Sequence, residues 1–125
     1  MLLQLNFESE IPIYAQINHQ IIEGIAKGHL VPGQRLPSVR QMAEDLGINL
    51  HTVNKAYNIL KNEKLISIHR QKGVYVSDVT NEPTSQEYKN ELVESIKPMV
   101  FKAYCKGMTQ EDFKRILNDI FSELK

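Results

Sequence analysis

Residues 49–55 form a short run that is rich in side chains able to hydrogen-bond the edges of DNA bases. Asparagine can pair with adenine through two hydrogen bonds, histidine and threonine can reach bases or phosphates, and lysine suits a phosphate or a guanine. Asn49 has an alternative role as a helix N-cap without a ligand, and the two roles can coexist. The run predicts a contact with double-stranded DNA, made by Asn49, Leu50, His51, Thr52, Asn54 and Lys55.

Positive charge is concentrated around this run. The whole chain is neutral, with 15 basic and 15 acidic residues, yet residues 27–76 hold eight lysines and arginines against three acidic residues, a net charge of +5. A neutral protein with one basic segment suits local phosphate recognition, although many solvated surfaces have a similar composition. The charge distribution therefore favours a nucleic-acid partner.

Other kinds of chemistry find little support in the residue types present. The four histidines, His19, His29, His51 and His69, have no short metal-ligand spacing, and the single cysteine, Cys105, cannot form an intramolecular disulfide. No serine–histidine–acid set, phosphate-binding loop or carboxylate pair is evident. We therefore expect no enzyme and no bound metal or cofactor, and the redox activity of Cys105 stays open.

The chain also has no recognisable targeting segment. Its N-terminus lacks the basic and apolar regions of a signal peptide, and no run approaches the roughly 20 apolar residues of a membrane span. We therefore expect a soluble, cytoplasmic protein with no membrane partner.

Two short helices joined by a glycine turn are predicted to position the DNA-facing run. Ser38 followed by Gln41 is a capping-box pattern that starts one helix, and Gly47 stops it. Asn49 is a suitable N-cap for the next helix. The apolar residues of that helix recur at helical spacing and should face the core: Val53, Ala56, Tyr57 and Leu60. An earlier helix opens at residues 11–14, with an isoleucine every fourth residue from Ile13 to Ile25.

A β-hairpin is predicted after these helices. Residues 65–69 and 74–76 are apolar and β-rich, residues 34–36 form a further short extended segment, and the hairpin tip is cationic. The tip residues can meet the minor groove or the phosphates, or can simply form a solvated turn. They are Arg70, Gln71, Lys72 and Gly73. The order helix, strand, helix, helix, hairpin is that of a winged helix.

A linker over residues 78–83 and two further helices complete the chain. Thr84 with Glu87 is a capping-box pattern for the fourth helix, and Pro98 should kink or divide that helix. Thr109 with Asp112 starts the fifth. Its wide apolar face either folds back on the first helix or pairs with a second copy of the chain, and we favour a homodimer. The face consists of Phe113, Ile116, Leu117, Ile120, Phe121 and Leu124.

Three motifs in this order resemble the GntR family. Residues 32–43, PGQRLPSVRQMA, are similar to the family signature PG-x-x-LPS-x-R-x-LA, and residues 49–57 are similar to its recognition helix. Residues 73–76, GVYV, stand where the family wing reads GTFV. Val39 replaces the usual glutamate, and Val74 replaces the wing threonine, which puts one phosphate contact in doubt. The match covers roughly residues 11 to 78, and the short tail is similar to the YtrA-type subfamily.

This resemblance implies a mainly α fold with a small β-hairpin wing. Residues 1–78 would form a winged helix-turn-helix domain and residues 79–125 a helical dimerisation tail. The resemblance also implies that Arg40 contacts the duplex; Ser38 belongs to the same set, and Arg35 reaches a phosphate or forms an internal ion pair. The implied function is a homodimeric regulator, a repressor, on an inverted-repeat operator. The alternatives are a protein-interaction module and a regulator whose small-molecule effector binds between wing domain and tail.

Overall fold

The computed structural model describes residues 3–78 and 84–124 and divides the chain into two units, Met1–Thr80 and Asn81–Lys125. The predicted linker, apart from Asp78, and the predicted domain boundary after residue 78 lie outside the described residues. The first unit holds α1 (Ile13–Ala26), β1 (Arg35–Leu36), α2 (Val39–Leu46), α3 (Leu50–Asn62), β2 (Ile66–His69) and β3 (Gly73–Val76). The second unit holds α4 (Gln86–Cys105) and α5 (Gln110–Ser122). The predicted mainly α fold with a small wing is confirmed.

The first helix, α1, forms on an apolar stripe with helical spacing. Ile17 and Ile21 are fully buried, because residues four apart lie on one face of a helix. A buried glutamine holds the preceding segment against this helix. The Asn6 N–H donates to Gln16 Oε1 at 2.8 Å, and Gln16 Nε2 donates to the carbonyls of Asn6 and Ile11, both at 2.9 Å. The start of α1 is therefore fixed to the chain that leads into it.

The helix-turn-helix consists of α2, a tight turn and α3. Ser38 Oγ accepts a hydrogen bond from the Gln41 N–H at 3.0 Å, and α2 ends at Gly47 in the left-handed region at φ 66°. The predicted capping box is only half formed, because the Gln41 side chain donates to Asp45 at 2.7 Å instead of returning to the cap. Asn49 caps α3 as predicted, with Oδ1 accepting from the His51 N–H at 2.7 Å.

Three antiparallel strands form the sheet, in the order β1-β3-β2. Ile66 pairs with Val76 and His69 with Gly73, so β2 and β3 form the predicted hairpin. Leu36 of β1 pairs with Val74 on the other edge of β3. Alternate strand residues, including Val74 and Val76, are buried, because successive side chains of a strand point to opposite faces. The hairpin thus covers the core on one side and extends its tip into solvent.

A fully buried tyrosine joins the two helices of the helix-turn-helix. Tyr57 of α3 donates its hydroxyl to the Pro37 carbonyl at 2.7 Å, immediately before α2. Burial raises the pKa of Tyr57 far above its ordinary value of about 10. The predicted inner face of α3 is confirmed, since all four of its apolar residues are buried. The remaining core residues are Ile17, Ile21, Leu30, Leu36, Met42, Ala43, Ile66, Val74 and Val76.

The second unit departs from the sequence prediction at two points. Ser85, not Thr84, caps α4, with Oγ accepting from the Tyr88 N–H at 3.1 Å, so the predicted Thr84–Glu87 box is wrong. The helix also continues through Pro98 and is not divided there. Proline removes one helical N–H, but Glu94 and Pro98 are exposed, so water can satisfy the carbonyl that loses its partner. The predicted start of α5 is confirmed by a complete capping box between Thr109 and Asp112.

Candidate nucleic-acid interface

The first two turns of α3 present the residues that the sequence predicts to contact DNA. Leu50, His51, Asn54 and Lys55 are exposed, and Thr52 is half-buried. They lie outside the apolar stripe that packs on the core, because a helix with one buried face exposes the opposite one. The exposed face is therefore free to enter a major groove, which admits one helix.

Asn49 has the dual role that its position allows. Its Oδ1 accepts the His51 N–H, which satisfies one of the backbone donors at the start of the helix. The residue is exposed, and this cap uses only the amide oxygen as an acceptor. The two N–H groups of its side chain therefore lie outside the cap and can donate to a base or a phosphate.

Lys55 contacts α1 through an aromatic ring, an arrangement that the sequence reasoning missed. Its ammonium lies 4.0 Å from the centroid of the Tyr14 ring, within the range of a cation–π interaction. Tyr14 was assigned from the sequence to the apolar stripe of α1, and nothing in the spacing of residues 41 positions apart indicates this contact. A pocket of about 490 Å³ lies here, lined by Pro12, Ile13 and Tyr14 of α1 and by Asn49, His51, Thr52 and Lys55.

The start of α2 carries two further predicted residues, both exposed. Ser38 accepts the Gln41 N–H, and its own hydroxyl hydrogen remains available to a phosphate. Arg40 lies in the first turn of α2 and forms no ion pair with any residue in ranges 3–78 and 84–124. A solvated guanidinium in this position can reach a phosphate or a base without first breaking an internal salt bridge.

Arg35 of β1 lies against the hairpin tip. A Cβ added to Gly73 would be 3.1 Å from Arg35 Nε and 3.2 Å from Arg35 Nη2, so the guanidinium occupies the space beside this glycine. Gly73 has a φ of 102°, which side chains rarely adopt. The internal ion pair considered for Arg35 is not formed within the part of the chain that the structure describes. Arg35 is thus brought to the wing rather than to α2.

The wing tip itself is exposed and cationic. Arg70, Gln71 and Lys72 are exposed, and Gly73 is half-buried beneath Arg35. Tyr75 donates its hydroxyl to the Lys72 carbonyl at 2.6 Å, which fixes the turn across the hairpin. The tip therefore offers three cations, Arg35, Arg70 and Lys72, on one ordered turn.

Large apolar side chains are exposed on both helices of the second unit. Of the six residues predicted for dimerisation, Phe113 is half-buried, and Ile116, Leu117, Ile120, Phe121 and Leu124 are exposed. Phe121 is 69% exposed, an unusual state for a phenylalanine that water alone surrounds. Exposed apolar residues on α4 that the prediction left out are Met99, Phe101 and Tyr104.

Sites of other kinds are scarce among the described residues. Residues 3–78 and 84–124 contain no group of three or more histidine, cysteine, aspartate or glutamate side chains that could hold a metal ion. Cys105 is a free, exposed thiol at the end of α4. None of the described helices combines the length and the apolar character needed to cross a membrane. The effector expected from the sequence stays a prediction.

Known proteins share both the sequence and the fold. Residues 13–76, just over half of the chain, match the profile of "Bacterial regulatory proteins, gntR family". The HTH-type transcriptional repressor YtrA of Bacillus subtilis is 32% identical over 99% of this chain and 95% of its own. A transcriptional antiterminator from Listeria monocytogenes EGD-e has a TM-score of 0.90 and 26% identity, over 100% of this chain and 94% of its own. The AraR DNA-binding domain in complex with operator ORX1 has a TM-score of 0.55 and 26% identity, over 60% of this chain and 96% of its own. The chain therefore belongs to the GntR family, is of YtrA type, and is a transcriptional regulator with a DNA-binding helix-turn-helix, a class that is not enzymatic.

Proposed function

We propose that the protein is a homodimeric repressor that binds an inverted-repeat operator. Each subunit inserts the start of α3 into a major groove and lays its wing along the neighbouring backbone. The observation that carries this proposal is the exposure of the polar and cationic residues of α3, α2 and the wing within one folded unit. A bacterial chromosome lies in the cytoplasm, so this is where the protein acts.

Charge gives the proposal a measurable size. Five cations belong to the proposed interface of one subunit, namely Arg35, Arg40, Lys55, Arg70 and Lys72. A dimer would bring ten of them to one duplex, and each phosphate that a cation neutralises releases condensed counterions. With about 0.9 per contact, the slope of log K against log salt should approach about −9 if all ten touch phosphates. Base contacts by some of them lower this value.

The exposed apolar face of the tail supports a second subunit as its partner. Five of the six predicted dimerisation residues are exposed, and contiguous apolar surface of this kind marks an interaction site in folded proteins. A two-fold dimer also matches a DNA site made of two inverted halves, about 34 Å or one helical turn apart. The protein named as a repressor among the relatives favours blocking, rather than recruiting, RNA polymerase.

Selection from a random duplex library tests the proposal. The enriched duplex is labelled and titrated with the full chain by fluorescence anisotropy at several salt concentrations, and sedimentation velocity gives the mass of the free protein. We expect an enriched palindrome, a steep fall of affinity with salt and a dimer of about twice 14.4 kDa. Lys61→Ala is the matched control, because Lys61 is an exposed cation at the far end of α3. Absence of enrichment and of binding at low salt would instead indicate a protein-interaction module.

A further inference from the structure

We propose that Tyr14 is a positioning residue that directs Lys55 to a phosphate at the edge of the major groove. Lys55 then adds affinity for any duplex and takes no part in choosing the base sequence. The inference rests on the proposed insertion of α3 into the groove, and it assigns different tasks to residues that the sequence grouped together. It also extends the DNA interface to the first turn of α1.

The contact between the two side chains fixes the head of a long, flexible residue. The Lys55 ammonium lies 4.0 Å from the Tyr14 ring centroid, where the negative face of the ring attracts it. A free lysine loses up to about 2 kcal/mol of side-chain entropy when it is immobilised, so partial ordering before DNA arrives reduces that loss. An ammonium on a ring keeps its outer N–H groups in solvent and available to an anion.

Tyr14 is a rigid platform for this contact. Its side chain is half-buried and packs against the core residues of the first unit. The neighbouring Gln16 is buried and holds the residues that precede α1 through three hydrogen bonds. Because its support does not depend on Lys55, Tyr14 can impose a direction on the lysine rather than follow it.

That direction leads away from the base-reading side of α3. Successive residues of a helix project about 100° apart, so Asn54 and Lys55 leave α3 on different sides. Lys55 turns toward α1, together with Thr52 and His51, which line the same pocket. Asn54 and Leu50 are absent from that lining and project toward the other side. A phosphate strand borders each side of a groove, so an ammonium at the flank of α3 meets the backbone while Asn54 faces the bases.

Chemistry favours the same assignment. A lysine ammonium is a compact point charge without the planar fork that lets arginine bind guanine through two parallel hydrogen bonds. Contacts to phosphate carry no sequence information, whereas each base contact discriminates between bases. The two roles therefore differ in how a substitution changes operator and unrelated DNA.

The test uses the full chain, the duplex enriched by selection and a scrambled duplex of the same length. Five proteins are compared by anisotropy at several salt concentrations: the parent, Lys55→Met, Tyr14→Leu, Tyr14→Phe and the double variant Tyr14→Leu/Lys55→Met. Melting temperatures are measured in parallel. Tyr14→Phe keeps the ring and is the conservative rescue, whereas Tyr14→Leu keeps apolar bulk and removes the ring.

We expect Lys55→Met to weaken both duplexes by the same factor and to reduce the salt slope by about one per subunit. Tyr14→Leu should weaken both duplexes about two- to fivefold, the fold-change of an exposed cation–π contact. Tyr14→Phe should match the parent. In the Lys55→Met background, Tyr14→Leu should change nothing further, because its effect passes through the lysine.

Four results overturn the inference while leaving the proposed function intact, provided that the parent binds its selected duplex. They are a loss for Lys55→Met confined to the selected duplex, an equal loss for Tyr14→Leu with and without Lys55, a gain of affinity on Tyr14→Leu, and a loss for Tyr14→Leu that follows a lowered melting temperature. Failure of the parent itself to bind any duplex would overturn the proposed function instead, and the inference with it.

Discussion

Replacement of Gly73 by alanine should destabilise the first unit by about 1–3 kcal/mol, the range for a residue held in a sparsely populated backbone conformation. Gly73 stands at the start of β3 with a φ of 102°, and its pairing with His69 closes the wing. Alanine cannot relax there without disturbing that pairing. For a unit of this size, each kcal/mol corresponds to about 4–8 °C in melting temperature.

The structure separates two sources of this loss. The new Cβ would lie 3.1 Å from Arg35 Nε and 3.2 Å from Arg35 Nη2, which is too close without a shift of a few tenths of an ångström. These atoms are the far end of a flexible, exposed side chain, so Arg35 can move at little cost. The backbone at Gly73 should therefore account for most of the destabilisation, and the moved Arg35 for a loss of DNA affinity.

Urea denaturation of four full-length proteins measures both parts: the parent, Gly73→Ala, Arg35→Ala and the double variant. Gly73→Ala should lower the free energy of unfolding by the same amount with and without Arg35, to within about 0.5 kcal/mol, the usual limit of additivity. Equal stability of Gly73→Ala and parent would refute the argument from φ. Full recovery of stability in the Arg35→Ala background would show instead that the steric contact dominates.

Three further predictions concern the interface, the core and the tail. Arg40→Ala should weaken binding to the selected duplex by about tenfold, the effect of one lost charge-assisted contact, while the melting temperature stays the same; equal affinity of the two proteins contradicts the role assigned to Arg40. Tyr57→Phe should lower the free energy of unfolding by about 1 kcal/mol at pH 7 through loss of the bond to Pro37. Because burial raises the folded pKa of Tyr57, its contribution is complete below about pH 10 and is lost as the pH rises further, so unfolding titrations of Tyr57→Phe should decline less steeply there, and parallel declines would count against the assignment. Phe121→Glu should shift the protein to monomers in sedimentation velocity without loss of helix content, because Phe121 is exposed in the single chain; an unchanged dimer rules this face out.

Local signals explain why much of the fold could be predicted. Gly47 and Asn49 are residues whose conformational and capping preferences act within one turn of chain, and both have the predicted roles. The inner face of α3 followed from helical spacing alone. Where two local signals compete, sequence reasoning failed: Thr84 and Ser85 can both cap a helix, and only the structure shows that Ser85 accepts the N–H of Tyr88.

Contacts between distant residues explain why the arrangement of the site could not be predicted. The residue types of the DNA-facing set were visible in the sequence, but the stacking of Lys55 on Tyr14 depends on how α1 packs beside α3. The position of Arg35 over Gly73 likewise depends on the pairing of β1 with β3 across an intervening helix-turn-helix. Pro98 gave a strong local signal, yet α4 continues past it because solvent can replace the lost helical bond.

A stoichiometric titration tests the central claim most directly. The selected duplex and a duplex that keeps only one half of it are titrated with the full chain at concentrations well above the dissociation constant. We predict saturation at two chains per full duplex, and binding to the half duplex that is weaker by at least about a hundredfold, because one subunit's DNA contacts are lost. Saturation at one chain per full duplex, or equal affinity for both duplexes, would contradict a dimer that reads an inverted repeat.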